Sequence, residues 1–153
     1  MYKDSKALET LLQERARARA MKRIVLEASA LMTLFEDRPG AEKVEDLIRL
    51  GVEGKRQLLM SVVNWGEVYS STWRTKGSGV ARKVIEDIAQ LPLEIVAADL
   101  ELTRSAAELR AEHKLPYTDG FAAALAVARK ASLATSDKDF AFVERKLDLL
   151  WTT

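Results

Sequence analysis

The chain has 153 residues, 48% of them hydrophobic and 31% charged, with a formal net charge of +1. That length supports one domain with a real core, and the charge balance gives no basic excess that would by itself argue for nucleic acid. The absence of cysteine excludes disulfides, thiolate-held zinc and thiol catalysis, and fits a reducing cytoplasm. The N-terminus is charged rather than signal-like, and the longest apolar run, Phe121 to Ala128, is far too short to span a bilayer. A cytoplasmic protein is expected.

Residues 1–20 combine strong helix formers with a weak apolar stripe at Leu8, Leu11 and Leu12, then turn basic at Arg15, Arg17 and Arg19. They read as an N-terminal helical extension to a domain covering residues 21–153. A docking helix, an RNA-contacting arm and a vestige of a mis-assigned start, with Met21 beginning the domain, are all compatible with them. Ile24-Val25-Leu26 is a buried-strand run ending at Glu27, after which Ser29 is placed to cap a helix from Ala30 to Glu36. A turn at Asp37-Arg38-Pro39-Gly40 leads to an amphipathic helix, Ala41 to Val52. Leu58 to Val63 is the second strand. Asn64-Trp65-Gly66-Glu67 opens a helix that stops near Gly77, and Val80 to Gln90 forms another. Leu93 to Val96 is the third strand, followed by a helix from Asp99 to His113. Leu115-Pro116-Tyr117-Thr118-Asp119 then opens an Ala-rich helix reaching Lys130, with Thr118 as its expected N-cap. Leu133 to Thr135 is the fourth strand, residues 136–140 turn into a short helix, and Leu147 to Trp151 is the fifth strand.

Short apolar strands alternating with helices specify an α/β domain, a mostly parallel sheet covered by helices on both faces. Sites in such sheets lie beyond the carboxyl ends of the strands. Glu27 follows the first strand, Glu67 lies beyond the second, Asp137 follows the fourth, and Asp119 sits at the mouth of the helix leading into it. Asp139 stands beside Asp137. Gathered carboxylates raise one another's pKa, and a divalent cation is the usual remedy. Oxygen ligands suit magnesium or manganese, which can activate a water and stabilise a phosphoryl oxyanion.

Each acid also has a purely structural reading. Asp119 and Asp139 can serve a helix dipole, Asp137 can be an N-cap, and Glu67 can pair with Asn64 in a capping pattern. Glu27 is the hardest to dismiss, because glutamate is a poor strand residue and a poor N-cap. The single histidine, His113, reads as a surface residue at a helix end, so histidine-pair acid–base chemistry is excluded. There is no G-x-S-x-G elbow and no phosphate-binding G-x-x-x-x-G-K-[ST] loop. A phosphatase using an aspartate nucleophile after the first strand is disfavoured by Glu27. Arg74, Lys76, Arg82 and Lys83 surround the Gly77-Ser78-Gly79 turn as an RNA-backbone contact or a solvated face. Trp65, Tyr69, Trp73 and Tyr117 are core or interface aromatics, or base-stacking platforms.

Four segments in order, Ile24-Val25-Leu26-Glu27-Ala28-Ser29, Asn64-Trp65-Gly66-Glu67, Leu115-x-x-x-Asp119-Gly-Phe-Ala-Ala-Ala and Ala134-Thr135-Ser136-Asp137-Lys138-Asp139, resemble the motifs of PIN-domain ribonucleases. Their spacing is similar to that of VapC toxins from toxin–antitoxin modules, over roughly residue 21 to the C-terminus. The resemblance implies a PIN-like three-layer α/β/α domain and a magnesium- or manganese-dependent endoribonuclease that leaves a 5′-phosphate. It also implies a homodimer and an antitoxin whose tail enters the acidic groove. On that resemblance Glu27, Glu67, Asp119 and Asp137 are the catalytic and metal-binding acids and Asp139 an accessory ligand, with Ser29 and Thr135 in support. The family's first acid is normally aspartate. Glutamate adds about 1.5 Å of reach, so the alternative is a catalytically silent PIN-like module that binds RNA or protein.

Overall fold

The computed structural model describes residues 4–153, so the first three residues of the N-terminal segment lie outside the described residues. The segment forms helix α1 (Ser5–Ala20), followed directly by strand β1 (Lys22–Leu26). Helices α2 (Ala28–Phe35) and α3 (Ala41–Val52) lead to β2 (Arg56–Ser61), and α4 (Val62–Lys76) and α5 (Ser78–Ala89) lead to β3 (Leu93–Val96). Helices α6 (Leu100–His113) and α7 (Tyr117–Arg129) return to β4 (Ser132–Thr135). A 3-10 helix, Lys138–Val143, precedes β5 (Leu149–Trp151).

The five strands form one sheet in the order β3-β2-β1-β4-β5, every neighbouring pair parallel. Parallel pairing requires crossover connections, and the helices supply them on both faces. The three-layer α/β/α architecture expected from the sequence is therefore present. Strand alternation assigns the faces. Val25, Leu59 and Leu133 point into a core with α6 and α7, built around Leu102, Ala106 and the run Phe121 to Ala126. Ile24, Leu26, Leu58, Met60 and Ala134 point the other way, onto Ala28, Leu31, Val68, Val84 and Ile88 of α2, α4 and α5. Among the described residues, neither core includes a residue of α1.

Helix α7 is buried continuously from Asp119 to Ala126, which requires small side chains on nearly every face. Gly120 shows the limit. A Cβ built there would lie 2.8 Å from the backbone oxygen of Ala106 on α6. The close approach of α6 and α7 therefore depends on glycine at this point.

Several helix starts differ from the sequence expectations. Helix α2 begins at Ala28 and is capped by the Glu27 side chain, which accepts from Ser29 N; Ser29 is not the cap. Helix α4 begins at Val62 with Ser61 as its cap, so Asn64 lies inside the first turn. At α7 the N-cap position is Pro116, and Thr118 is already helical. In each case the chain enters its helix within one or two residues of the strand or turn. The long apolar strand readings, such as Leu58 to Val63, hid that transition because Val62 and Val63 suit either state.

Candidate active site

Strand β1 lies at the centre of the sheet. The chain first builds outward to β2 and β3, then crosses back to place β4 on the other side of β1. The switch between β1 and β4 opens a crevice at their carboxyl ends. Leu26 pairs with Ala134, and Glu27 N donates to Ala134 O at 3.1 Å, so Glu27 leaves the sheet beside Thr135. The N-terminal turns of α4 and α7 close the crevice, because Asn64 Nδ2 donates to Thr118 O at 3.1 Å.

The predicted acids meet there. Carboxylate oxygens of Glu27, Glu67 and Asp119 lie within 4.8 Å of one another, and so do those of Asp119, Asp137 and Asp139. Asp119 is common to both groups. Glu27 and Asp119 are each only 2% exposed, whereas Asp139 faces solvent. All five acids named from the sequence therefore belong to one constellation graded from buried to open.

Glu27 is fixed by an unusual concentration of donors. Its Oε2 accepts from Ser29 N at 3.1 Å, from Ser29 Oγ at 2.5 Å and from Thr135 Oγ1 at 2.9 Å. Ser29 Oγ in turn accepts from Ser136 N at 3.0 Å, and Thr135 Oγ1 accepts from Asp137 N at 2.9 Å. Each hydroxyl thus spends its one proton on Glu27 and its lone pairs on the β4 exit loop. The two hydroxyl oxygens are 3.2 Å apart, but with both protons committed this is a contact between acceptors. The extra methylene of glutamate is absorbed by curling back onto the α2 amide, which keeps the carboxylate in the cluster. Asp137 is also the N-cap of the 3-10 helix, Oδ1 accepting from Asp139 N at 2.9 Å.

Asn64 is the residue whose importance the sequence concealed. Fully buried, it also donates to Glu67 Oε1 at 3.4 Å, tying that acid to the mouth of α7. Its i,i+3 spacing to Glu67 was legible as a capping pattern, but the contact with Thr118 spans 54 residues and left no local signal. His113 is also less exposed than expected, with a side chain 22% exposed and Nε2 3.6 Å from Glu112.

Burial pushes the Glu27 carboxyl up to about 7, against the lowering effect of its Ser29 and Thr135 hydrogen bonds. Burial, with the charges of Glu27, Asp137 and Glu67 adding to it, raises Asp119 to about 9. Asp119 Oδ2 is buried and has no hydrogen-bond partner among the described residues. A buried carboxylate oxygen normally finds a donor or a cation. The oxygen-only donor set and this orphan acceptor fit a hard divalent cation.

Thr135→Val would remove a donor to Glu27 and leave Asp137 N unpaired in a site that excludes most solvent. It is expected to cost about 1–3 kcal/mol, read as a lower midpoint in urea with an unchanged slope.

Residues 24–146 match the PIN domain family. No curated protein matches the chain. Among solved structures, the chain is similar to VapBC2 from Rickettsia felis, bound to a fragment of its promoter DNA, at 18% identity and TM-score 0.69. That match covers 84% of this chain and 98% of the other. VapBC from Salmonella typhimurium, also DNA-bound, matches at 16% identity and TM-score 0.65, covering 87% and 100%. VapC20 from Mycobacterium tuberculosis, a toxin that cleaves the sarcin–ricin loop, matches at 15% and TM-score 0.64, covering 81% and 95%. With the family match covering most of its length and the acid cluster at the switch point of the sheet, the chain belongs to the PIN domain family.

Proposed function

We propose that the protein is a magnesium- or manganese-dependent endoribonuclease, the toxin of a type II toxin–antitoxin pair. One observation carries the reading: two carboxylate groups share Asp119, whose buried Oδ2 has no protein partner. Glu27, Glu67 and Asp119 would hold one cation, and Asp119, Asp137 and Asp139 would hold a second. Bound there, a divalent cation supplies positive charge for the phosphodiester and acidifies a water for in-line attack.

The protein's own groups do the positioning. Ser29 and Thr135 aim Glu27, and their hydrogen bonds oppose the rise that burial imposes on its carboxyl. Asn64 fixes Glu67 against α7, and the amides at the start of α7 add their dipole to the ionised form of Asp119. Asp139, exposed at the rim, faces the side from which a substrate arrives. The nuclease domain would be residues 21–153 with α1 as an extension outside it, in keeping with the absence of α1 residues from both cores among the described residues.

The toxin assignment is supported by the similarity to solved VapBC complexes. From it follow an antitoxin partner, a homodimer and a cytoplasmic site of action. Among the described residues, no helix is long and apolar enough to cross a membrane.

Cleavage of structured and single-stranded RNAs should require added manganese or magnesium and stop with chelator. A folded protein that cuts no RNA with either metal would overturn the nuclease reading. Because Glu27 remains in the cluster, Glu27→Asp is expected to cut within about tenfold of the native rate, about 1.4 kcal/mol in barrier. A gain much beyond tenfold would favour the silent module, in which one methylene spoils the metal geometry.

A further inference from the structure

The acids gather at the carboxyl ends of the strands, and the amino ends carry the opposite charge. Strand β1 opens on Lys22 and Arg23, β2 opens on Arg56, and Lys130 stands just before β4. These four cations line one concavity of about 380 Å³, together with Ser132 and Asp148. A volume of that order suits a small ligand. Along β1, Lys22 and Glu27 are about 16 Å apart, so the concavity is separate from the acid cluster.

Folding brings these charges together against their repulsion. Lys22 and Arg56 are register partners on adjacent parallel strands, about 4.8 Å apart. Two places further on, Ile24 and Leu58 point into the same core, so by alternation Lys22 and Arg56 share that face. Arg23 and Arg56 are half-buried, and neutral acceptors hold both. Arg23 donates from Nε to Gln57 Oε1 at 3.1 Å and from Nη1 to Arg129 O at 3.1 Å. Arg56 donates from Nη1 to Lys55 O at 2.7 Å. Among the described residues, none of the four cations forms an ion pair. Asp148, the one acid of the concavity, has Oδ2 engaged by Ser132 Oγ at 2.6 Å. Positive charge is therefore in excess, and two guanidinium forks are oriented in advance with donors left over. Such forks suit phosphate oxygens, and little side-chain freedom remains to be lost on binding.

We propose that this concavity binds an oligophosphate anion, inorganic or carried by a nucleotide. A run of two or three phosphates brings enough negative charge to offset the cations within the span of one concavity. A nucleic-acid backbone fits it less well, because it tracks cations spread along a groove, whereas these converge on the starts of neighbouring strands. The site does not depend on the nuclease reading of the acid cluster, which lies at the other end of the same strands.

The test uses the full-length protein in chelator, so that no metal at the acid cluster holds the phosphates, with sodium tripolyphosphate and ATP as probes. At about a hundredfold excess over Kd, tripolyphosphate should raise the melting temperature by about 5–10 °C. Arg56→Gln should weaken its Kd by about 10- to 100-fold. Lys22→Gln, which removes an exposed charge, should weaken it by about two- to fivefold. Each variant relieves repulsion between register partners, so without ligand both should melt close to the native temperature. If Arg56→Gln fails to fold, Lys22→Gln and Lys130→Gln carry the comparison.

Equal affinity for tripolyphosphate and ATP means that the phosphates alone are read, and tighter binding of ATP makes the nucleotide the source; either result supports the site. No rise with either probe at millimolar concentration overturns it. A rise that persists undiminished in the variants places the anion elsewhere and also overturns it. So does an equal rise with sodium sulfate at matched ionic strength, which would be general screening of charge. If an RNA duplex binds more tightly than tripolyphosphate and loses affinity by the same factor in Arg56→Gln, the surface reads a polymer backbone, and the proposal fails.

Discussion

Replacing Asp119 with asparagine is expected to lower the rate of metal-stimulated RNA cleavage by on the order of a thousandfold, about 4 kcal/mol in barrier. Asp119 is the only acid common to both carboxylate groups, so its loss depletes both at once. The same substitution should stabilise the metal-free protein at neutral and alkaline pH by about 1–3 kcal/mol, because it removes a group that on folding must either take up a proton or bear a buried charge facing Glu27, Asp137 and Glu67.

The sign of the pH dependence follows from the raised carboxyls. Asp119 and Glu27 bind protons more tightly folded than unfolded. Their contribution favours the fold fully below the ordinary carboxyl range, near 4, and is lost as pH rises through about 7 for Glu27 and about 9 for Asp119. The metal-free protein should therefore lose melting temperature between pH 5 and pH 9 as these groups ionise, and Asp119→Asn should reduce that loss. Manganese, which binds the ionised cluster, should raise the melting temperature more at pH 8 than at pH 6. Thermal scans at the two pH values, with and without manganese, check the direction. An equal manganese effect at both pH values would place the cation elsewhere.

Gly120→Ala should destabilise by about 1–3 kcal/mol, a change usually reserved for larger substitutions. In most buried helices, alanine for glycine would stabilise by up to about 1 kcal/mol. Here the added Cβ meets the Ala106 carbonyl at 2.8 Å, and a backbone atom in a helix has nowhere to go. Helices α6 and α7 must separate. Because Asp119 precedes Gly120 on α7, the shift also moves the shared acid, so manganese affinity should weaken along with the melting temperature. Urea unfolding and manganese titration of the same variant report the two effects. Increased stability in Gly120→Ala would mean that the helices relax without cost.

Much of this protein was legible in local sequence. Period and length placed every strand, and the alternation of strands with helices specified the parallel sheet before any contact was known. Glu27 and Asp137 could be named because they stand at strand exits and Asp119 because it stands at a helix start, where open-sheet sites form, whereas Glu67 lies in the second turn of α4. Capping was read less well. Glutamate is a poor N-cap on the general ranking, but the longer side chain of Glu27 reaches the Ser29 amide because Ser29 Oγ and Thr135 Oγ1 converge on the same oxygen. Propensity describes a residue alone, whereas this cap depends on a strand 108 positions away.

The sequence by itself determined the strand and helix order and the small-residue character of α7, because these follow from hydrophobic periodicity and side-chain size, while the candidate acids came from their places near strand ends and from the resemblance to PIN-domain motifs. Only the tertiary structure decided that Glu27, Glu67 and Asp119 form one group and Asp119, Asp137 and Asp139 another. It alone brought Asn64 onto Thr118 across the top of the sheet, and set the Tyr117 ring against the Arg110 guanidinium at the α6–α7 turn. The reason is physical: local pattern fixes which way a side chain faces, but distances between side chains far apart in sequence are set by sheet order and by how closely helices pack.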